Sequence, residues 1–380
     1  MKKPDYDFII AGSGCAGLSL AVRLIQSGCK FERVLIIDRD LKNTNDRTWC
    51  FWTEQKNNWF DSLIFKRWQT LLFRSALFEK KMAISPYNYC MVRGIDFYNY
   101  CLTIIKNDKR FEWLTDNIEN VYTENAFAYL KTANKLYSAN YLFNSAFRNP
   151  FIKKNHSNLT QHFKGYVIET PQSVFDESLA TFMDFSVQQH NDCRFVYVLP
   201  ISKHKALIEY TGFSDEALKD EVYDVLLKEY IEQRIGISHY TITETEKGEI
   251  PMLESTFVNT HGNKIINVGI AGNAAKASSG YAFYFIQKQI EFLIAQLKTN
   301  TKTLKPYSKA KRFNYYDKVF LSVLKAKHLE PRLVFETLFK RNKVEDVLAF
   351  LNEESSLTQE FGIINSLPKK EFMRAGWEKF

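Results

Sequence analysis

No stretch of 18 consecutive apolar residues occurs anywhere in this chain of 380. A membrane-spanning helix needs about 20, so none is expected. Cysteine and histidine are few and scattered. Cys15, Cys29, Cys50, Cys90, Cys101 and Cys193 form no CxxC, and with the seven histidines they give no metal-ligand spacing. That excludes a zinc site and a redox dithiol, and points to a reduced, cytoplasmic, metal-free protein. Internal repeats and low-complexity segments are absent. The start of the chain imitates an export signal, with Met1-Lys2-Lys3 ahead of an uncharged run from Phe8 to Val22. Asp5 and Asp7 spoil the part of a signal that must be basic, so no export is expected.

What is present reads as an ordinary globular chain, 45% hydrophobic and 25% charged. Its length allows roughly two to three domains. The 31 Phe and 20 Tyr suit a protein that lines a long apolar cavity, or one with a large core. Part of the net charge of +8 is local: Lys298, Lys302, Lys305, Lys309, Lys311 and Arg312 fall in one acid-free run. Such a run is a solvated linker or a patch for anionic lipid heads. No recognition motif for nucleic acid accompanies it.

The stretch around which the chain is organised is Asp7 to Asp38. Asp7-Phe8-Ile9-Ile10-Ala11 reads as a buried parallel strand, Gly12-Ser13-Gly14-Cys15-Ala16-Gly17 as a turn, and the following run through Leu24 as an apolar helix. Arg33 to Ile37 is a second strand, ending on Asp38. Gly12 permits the tight turn, Gly14 lets the backbone approach a pyrophosphate, and Gly17 lets helix and strand pack closely. The helix N-terminus, from Ala16, offers N–H groups to phosphate. Asp38 would accept from a ribose hydroxyl. Together these predict a dinucleotide site.

Further along, Arg47-Thr48-Trp49-Cys50-Phe51-Trp52 crowds three large aromatics into four residues. Arg93 stands at a helix start, where an arginine often faces a phosphate. Short strands are predicted through 60–84 and 111–145, and strands of a second sheet at Phe163–Glu169, Thr181–Val187, Arg194–Leu199 and Lys205–Thr211. Residues 215–234 carry apolar positions at helical spacing, as does a helical tail that includes Val344, Val347, Leu348 and Leu351.

A second glycine cluster follows the strand Lys264–Val268: Gly272-Asn273-Ala274-Ala275, a short loop, then Gly280-Tyr281 near a helix start. It resembles the second FAD motif of the p-hydroxybenzoate-hydroxylase-like flavoproteins, with Asn273 where that motif usually has Asp. The resemblance implies an α/β fold: a Rossmann-type FAD-binding domain, an inserted mixed β-sheet substrate domain and a helical C-terminal tail. The expected partition is 1–50 with 90–165 and 245–300 for FAD, 51–89 with 166–244 for substrate, and 301–380 for the helical region.

Nearly end to end, the chain resembles the bacterial lycopene cyclases. The carriers are the first glycine motif, Thr48-Trp49-Cys50-Phe51, Phe182-Met183-Asp184, Phe195 to Ser202, Ala206-Leu207-Ile208-Glu209-Tyr210-Thr211, Gly248-Glu249-Ile250-Pro251 and Ser279-Gly280-Tyr281. It departs from the family at Tyr210, where a second acid is common, and at Ala277, where a proline is. The resemblance implies FAD, active when reduced, with NADPH or NADH supplying electrons, and acid-initiated, non-redox cyclisation of the ends of lycopene to β-rings.

Glu209 and Asp184 are the catalytic candidates. Each is a carboxyl in an apolar strand, where burial can raise a carboxyl pKa by ~3–5 units and keep it protonated. The bland alternative for either is a buried ion pair, with Arg194 or Lys205 as its cation. Asp184 would be the final base or would orient the acid. Trp49, Phe51, Trp52 and Phe283, with Tyr281, are candidates to face the substrate and support a cation; core packing is the alternative for each. FAD contacts are expected from Gly12, Gly14, Ala16, Gly17, Asp38, Arg47, Arg93, Gly272, Asn273, Ala274, Ala275, Gly280 and Tyr281. An FAD monooxygenase or epoxidase acting on an apolar isoprenoid shares both glycine motifs but needs no strand-borne acid. A non-catalytic flavin or carotenoid carrier leaves Glu209 unexplained. A polyene substrate would place the protein peripherally on a membrane.

Overall fold

The computed structural model describes residues 3–54, 58–146, 159–252, 262–299, 301, 303–326 and 329–379. In chain order the first strands are β1 (Tyr6–Ala11), β2 (Val34–Asp38), β3 (Thr48–Thr53), β4 (Lys66–Trp68), β5 (Thr70–Arg74), β6 (Glu79–Ala83) and β7 (Asn88–Arg93). Then come β8 (Phe111–Thr115), β9 (Ile118–Glu124), β10 (Phe127–Thr132), β11 (Leu136–Asn144) and β12 (Leu159–Glu169). β13 (Leu179–Asp184), β14 (Cys193–Ser202), β15 (Lys205–Ser214), β16 (Thr241–Met252) and β17 (Ile265–Asn267) complete the strands. The helices are α1 (Cys15–Gln26), α2 (Gly94–Lys106), α3 (Asp220–Glu229), α4 (Phe283–Lys298), α5 (Lys311–Lys325), α6 (Pro331–Arg341), α7 (Val344–Leu351), α8 (Leu357–Ser366) and α9 (Lys369–Lys379).

β1 is apolar on both faces because both are covered. It pairs in parallel with β2 and β11, and the first sheet runs β8-β2-β1-β11-β10-β9 with β17 joining beside β11. α1, α2 and α4 share one core on one side of it. The last of the short strands predicted through 111–145 is one long strand, β11, because nothing within Leu136–Asn144 breaks the pattern.

The second sheet runs β16-β12-β15-β14-β13-β5-β6 and is antiparallel except where β13 meets β5. The small sheet β3-β7-β4 contributes side chains to the cores of both. β12 and β16 lie wholly in the second sheet, so the expected partition at 165/166 and 244/245 falls inside two strands. The predicted helix 215–234 is α3 plus one wider turn, Tyr230–Ile235, ended by Gly236 at φ 83°.

The C-terminal helices are not an appendage. Val344, Val347 and Leu348 of α7, with Phe335 and Leu338 of α6, share a continuous core with Phe73, Phe182, Phe195 and Leu207 of the second sheet. Pro331 opens α6, where its missing N–H costs no helical bond. Among the described residues, no helix is long and apolar enough to cross a membrane.

Candidate active site

Two glycine turns distant in sequence pack against each other. Gly12 has φ 96°, and a Cβ there would fall 2.7 Å from Ser145 Oγ; on Gly17 it would fall 2.0 Å from Gly12 O. Both positions need glycine for close packing. Around Gly14 there is open space instead, with nothing within 4 Å of where a Cβ would be, at the head of α1 where N–H groups lack intrahelical partners. Gly269, ahead of the second motif, packs so closely on Ala16 that its Cβ would lie 2.8 Å from the alanine's. From α4, Gln287 donates to Ser19 Oγ of α1 at 3.1 Å. The heads of α1 and α4 therefore converge, and together they form a cradle suited to an anionic dinucleotide.

Asp38 lies at the carboxyl end of β2 as expected. Its Oδ2 accepts from the Ser13 N–H at 2.5 Å and the Ser13 hydroxyl at 2.8 Å, and Oδ1 from the Asp40 N–H at 3.0 Å. Burial works to raise its pKa, but these donors hold it below the ordinary value. In the second motif Asn273 takes a left-handed conformation, φ 59°. The N–H groups of Gly272, Asn273, Ala274 and Gly280 go to Val268, Ile270, Gly269 and Lys276 carbonyls. FAD contacts are expected from these residues; in the structure their N–H groups hold the loop's own shape. The Ala275 carbonyl accepts from Lys309 Nζ at 3.1 Å.

Next to this cradle, Glu209 opens into a cavity of about 230 Å³, whose wall includes Arg47, Trp49, Tyr197, Glu246, Gly280, Tyr281 and Phe283. Thr211 donates its hydroxyl to Glu209 Oε1 at 2.8 Å. Neither Arg194 nor Lys205 forms an ion pair with it; Arg194 pairs with Asp192 at 2.7 Å. Burial first, and the charge of Glu246 second, push the Glu209 carboxyl well above its ordinary value. Glu246 is also raised by burial, against the lowering effect of the Thr48 hydroxyl and N–H and of a hydrogen bond from Glu209.

Ser279 and Tyr281 also line a second cavity of about 720 Å³, between the second sheet and the C-terminal helices. Its wall is largely aromatic and aliphatic, from Phe182, Phe335 and Phe339 outward to Ile364, Met373 and Trp377. The Tyr281 hydroxyl sits 3.1 Å from that of Tyr89 and 3.3 Å from that of Tyr197. This trio separates the acid's cavity from the apolar one. Trp49 and Phe283 face the smaller cavity. Phe51 instead stacks on Phe283 at 4.8 Å inside the first core, and Trp52 packs behind Tyr281 with its Nε1 donating to Leu348 O at 2.9 Å.

The structure does not bring Asp184 together with Glu209. Asp184 pairs across the sheet with Val196, and Val196 with Tyr210, whereas Glu209 pairs with Tyr197. Directly paired residues share a face and neighbours alternate, so Asp184 points away from the cavity. There it is fully buried, accepts from Tyr230 at 2.8 Å and pairs with Arg74 at 3.5 Å. Tyr210, at the position where a second acid is common, points the same way. Arg93 is likewise turned aside: Asp96 holds its guanidinium at 2.6 and 2.9 Å, and it lies over the Phe65 ring at 4.0 Å. Arg47 is on the cavity wall but paired with Asp46 at 2.8 Å. The residue that the sequence hid is Glu246. It lies in Thr-Glu-Thr-Glu-Lys-Gly-Glu, whose polar alternation reads as a solvent-facing strand; only the register of β12 turns it inward.

In layers and strand order this is the fold of the FAD-dependent flavoproteins. A flavoprotein/dehydrogenase from Cytophaga hutchinsonii matches with TM-score 0.64 at 11% identity, over 99% of this chain and 100% of its own. A geranylgeranyl bacteriochlorophyll reductase-like protein from Thermoplasma acidophilum matches at 0.59 and 12%, over 99% and 96%. A flavin-dependent brominase, solved as a triple mutant, matches at 0.60 and 12%, over 97% and 100%. At such identities the likeness is one of fold. The chain belongs to the lycopene cyclase family, whose profile, described as "Lycopene cyclase protein", matches residues 7–375. A lycopene beta-cyclase from Pantoea ananas is 26% identical over 263 residues, 66% of this chain and 63% of that protein, so the match spans somewhat under two thirds of the relative's length.

Proposed function

We propose that this protein is a lycopene cyclase that closes the acyclic ends of lycopene to β-rings, as an intramolecular, non-redox isomerisation. The observation that carries the reading is the position of Glu209. It is a carboxyl kept neutral by burial and by Glu246, in a cavity of about 230 Å³ beside the dinucleotide cradle, and that cavity shares Ser279 and Tyr281 with the apolar one of about 720 Å³. Its proton goes to the terminal double bond. The tertiary cation so formed is attacked by the neighbouring double bond, and loss of one ring proton ends the reaction. Trp49, Phe283 and the Tyr281 ring supply aromatic faces to the cation, and the apolar walls exclude water that would quench it. Asp184, on the other face of the sheet, is given a structural role here.

FAD is the proposed cofactor, and a halogenase of similar fold has been solved with it. Gly12, Gly14, Ala16, Gly17 and Asp38 would hold the nucleotide end, and the loop Gly272 to Ala275 with Gly280 would shape the flavin end for the head of α4 to face. When bound in reduced form, with NADPH or NADH as the electron source, FAD supplies negative charge beside the ring site.

The membrane-facing surface is proposed to be the outer mouth of the larger cavity, on α8 and α9. Leu357 is 71% exposed, Phe361 70%, Met373 70% and Trp377 87%, with Lys369, Lys370 and Arg374 exposed or half-exposed on the same helix as Met373 and Trp377. The run 298–312 is less free than its sequence suggests. Lys309 is buried against Glu353, Arg312 pairs with Glu360 at 3.1 Å, and Lys302 lies outside the described residues.

Anaerobic incubation with lycopene and chemically reduced FAD, followed by product chromatography, tests the function. A cyclised product supports it. A requirement for oxygen would support the monooxygenase or epoxidase reading, and the absence of any product a carrier.

A further inference from the structure

Glu209 and Glu246 are not neighbours in sequence and do not sit on adjacent strands. β12 runs between their strands, and its Gly165 pairs with Glu209 on one side and Glu246 on the other. The three residues therefore form one row across β15, β12 and β16, all pointing to the same face. Adjacent strands lie ~4.8 Å apart, so two glutamates flanking a third strand can touch only by leaning over whatever stands between them. Here the third strand contributes no side chain. A Cβ on Gly165 would fall 3.4 Å from Glu209 Cβ and 3.3 Å from Glu246 Cγ, with Leu207 Cδ1 at 3.0 Å beside them. The glycine is the gap across which the two carboxyls face each other, close enough for each to shift the other's titration.

The surroundings treat the two acids differently. Glu209 receives one hydroxyl, from Thr211. Thr48 works to lower the Glu246 pKa through its hydroxyl and N–H, and donors near a carboxyl favour its charged form. The charged groups sharing the cavity wall are otherwise engaged: Arg47 with Asp46 at 2.8 Å, and Lys247 with Asp220. Glu249 is also on the wall, and Glu244, near Glu246, accepts from Asn45 at 2.5 Å. Tyr89, Tyr197, Tyr281 and Cys50 are pushed up by burial and stay neutral. With no cation beside them among the described residues, two carboxyls in such a place cannot both ionise, and a pair of this kind keeps one proton.

We propose that Glu246 is the positioning partner of Glu209, the two carboxyls sharing a single proton over Gly165. The proposal deepens the cyclase reading and rests on it for its chemical consequence. Cyclisation is an isomerisation, so each ring consumes one proton and returns one. The Glu209 O–H bond breaks as a C–H bond forms at the terminal alkene carbon, using that alkene's π pair. The second alkene's π pair makes the ring C–C bond. A ring C–H bond then breaks, its electrons become the ring double bond, and its proton returns to the carboxyl pair. While the cation exists the pair carries two negative charges. It regains one proton when the cation is gone, and no electron is gained or lost.

The test reads the shared proton directly and then in turnover. Infrared titration of the purified protein should show one protonated carboxyl persisting above neutral pH. Glu209→Gln and Glu246→Gln should each move its loss to lower pH, because the remaining acid loses the like charge that helped burial hold the proton. In turnover, Glu246→Gln should keep activity at acidic pH and lose it at neutral pH, its alkaline limb moving down by about one pH unit or more. Glu246→Asp should restore part of the limb. Gly165→Ala, which places a methyl group between the carboxyls, should move the limb the same way, and serves if Glu246→Gln does not fold. Loss of activity in Glu246→Gln by the same factor at every pH, with the protonated carboxyl intact, would overturn the proposal. If wild type makes no ring yet the infrared band behaves as described, the shared proton stands and the cyclase reading fails.

Discussion

The Lys276 ammonium lies 2.7 Å from the Asp317 carboxylate and 3.1 Å from Glu353, with all three side chains buried. Lys309 reaches the same Glu353 at 3.7 Å. Lys276 immediately follows the second glycine motif, Asp317 is on α5 and Glu353 follows α7, so this group ties the flavin-side loop to the C-terminal helices. Burial works to lower the Lys276 pKa, but the two acids raise it past its ordinary value, so it stays charged. Breaking a buried pair leaves an uncompensated charge and costs ~3–5 kcal/mol. Asp317→Asn should therefore lower unfolding stability by about 3 kcal/mol, since Glu353 remains, and weaken FAD retention as well. An unchanged denaturation midpoint would contradict this.

Gly280 has φ 72°, and a Cβ there would fall 1.8 Å from the Gln161 carboxamide oxygen. Gly280→Ala should shift the turn ahead of α4 and reduce flavin bound per protein, read from the flavin absorbance of the purified protein. Gln161→Ala in the same chain should restore part of it, the left-handed backbone keeping the rest. Full flavin content in Gly280→Ala alone would show that this turn does not shape the cradle.

His162 is buried between Tyr223 and Ser214, the latter 2.7 Å from its Nε2. Burial, then Arg194, lower its pKa from 6.5 to about 4. The folded state thus resists a proton that the unfolded chain accepts. The stability this represents is complete above pH 6.5 and is lost as pH falls toward about 4. At ~1.36 kcal/mol per unit the loss is on the order of 3 kcal/mol. Unfolding measured from pH 7 to pH 4 should show this slope in wild type, reduced in His162→Gln. Parallel curves would contradict it.

Phe361→Ser with Trp377→Ser removes two of the exposed apolar residues of α8 and α9. Each large side chain withdrawn from an apolar phase costs ~1.5–3 kcal/mol. Flotation with anionic liposomes should fall at least about tenfold, more than on replacing Lys298 and Lys305 with glutamine. The opposite ranking would return the docking face to the basic run.

Much of the first sheet was legible because its signals are local. Gly12 and Gly17 each stand where only a glycine fits, Gly14 leaves open space at the head of α1, and β1, α1 and β2 follow one another without interruption. Glu209 was legible for the same kind of reason, as an acid whose strand is apolar on both sides. What escaped depends on pairing between distant strands. Asp184 carries the same local signal as Glu209, yet strand register turns it to the other face, toward Arg74 and Tyr230. Glu246 carries the opposite signal, a polar strand, and β12 brings it inward beside Glu209. The role of the tail escaped too, since the stripe on α7 shows that it packs but not that it roofs the larger cavity.

The central claim is that the proton of Glu209 enters the ring. Wild-type protein and Glu209→Gln, each with lycopene and pre-reduced FAD, are incubated without oxygen in deuterated water and the products analysed by mass spectrometry. A titratable carboxyl exchanges with solvent, so wild type should give cyclised product with deuterium in the ring, without net flavin oxidation. Glu209→Gln should lose about 10²–10⁴-fold in rate, the usual contribution of a general acid, while still binding flavin. Unlabelled ring, an oxygen requirement, or more than about a tenth of wild-type activity in Glu209→Gln would contradict the account.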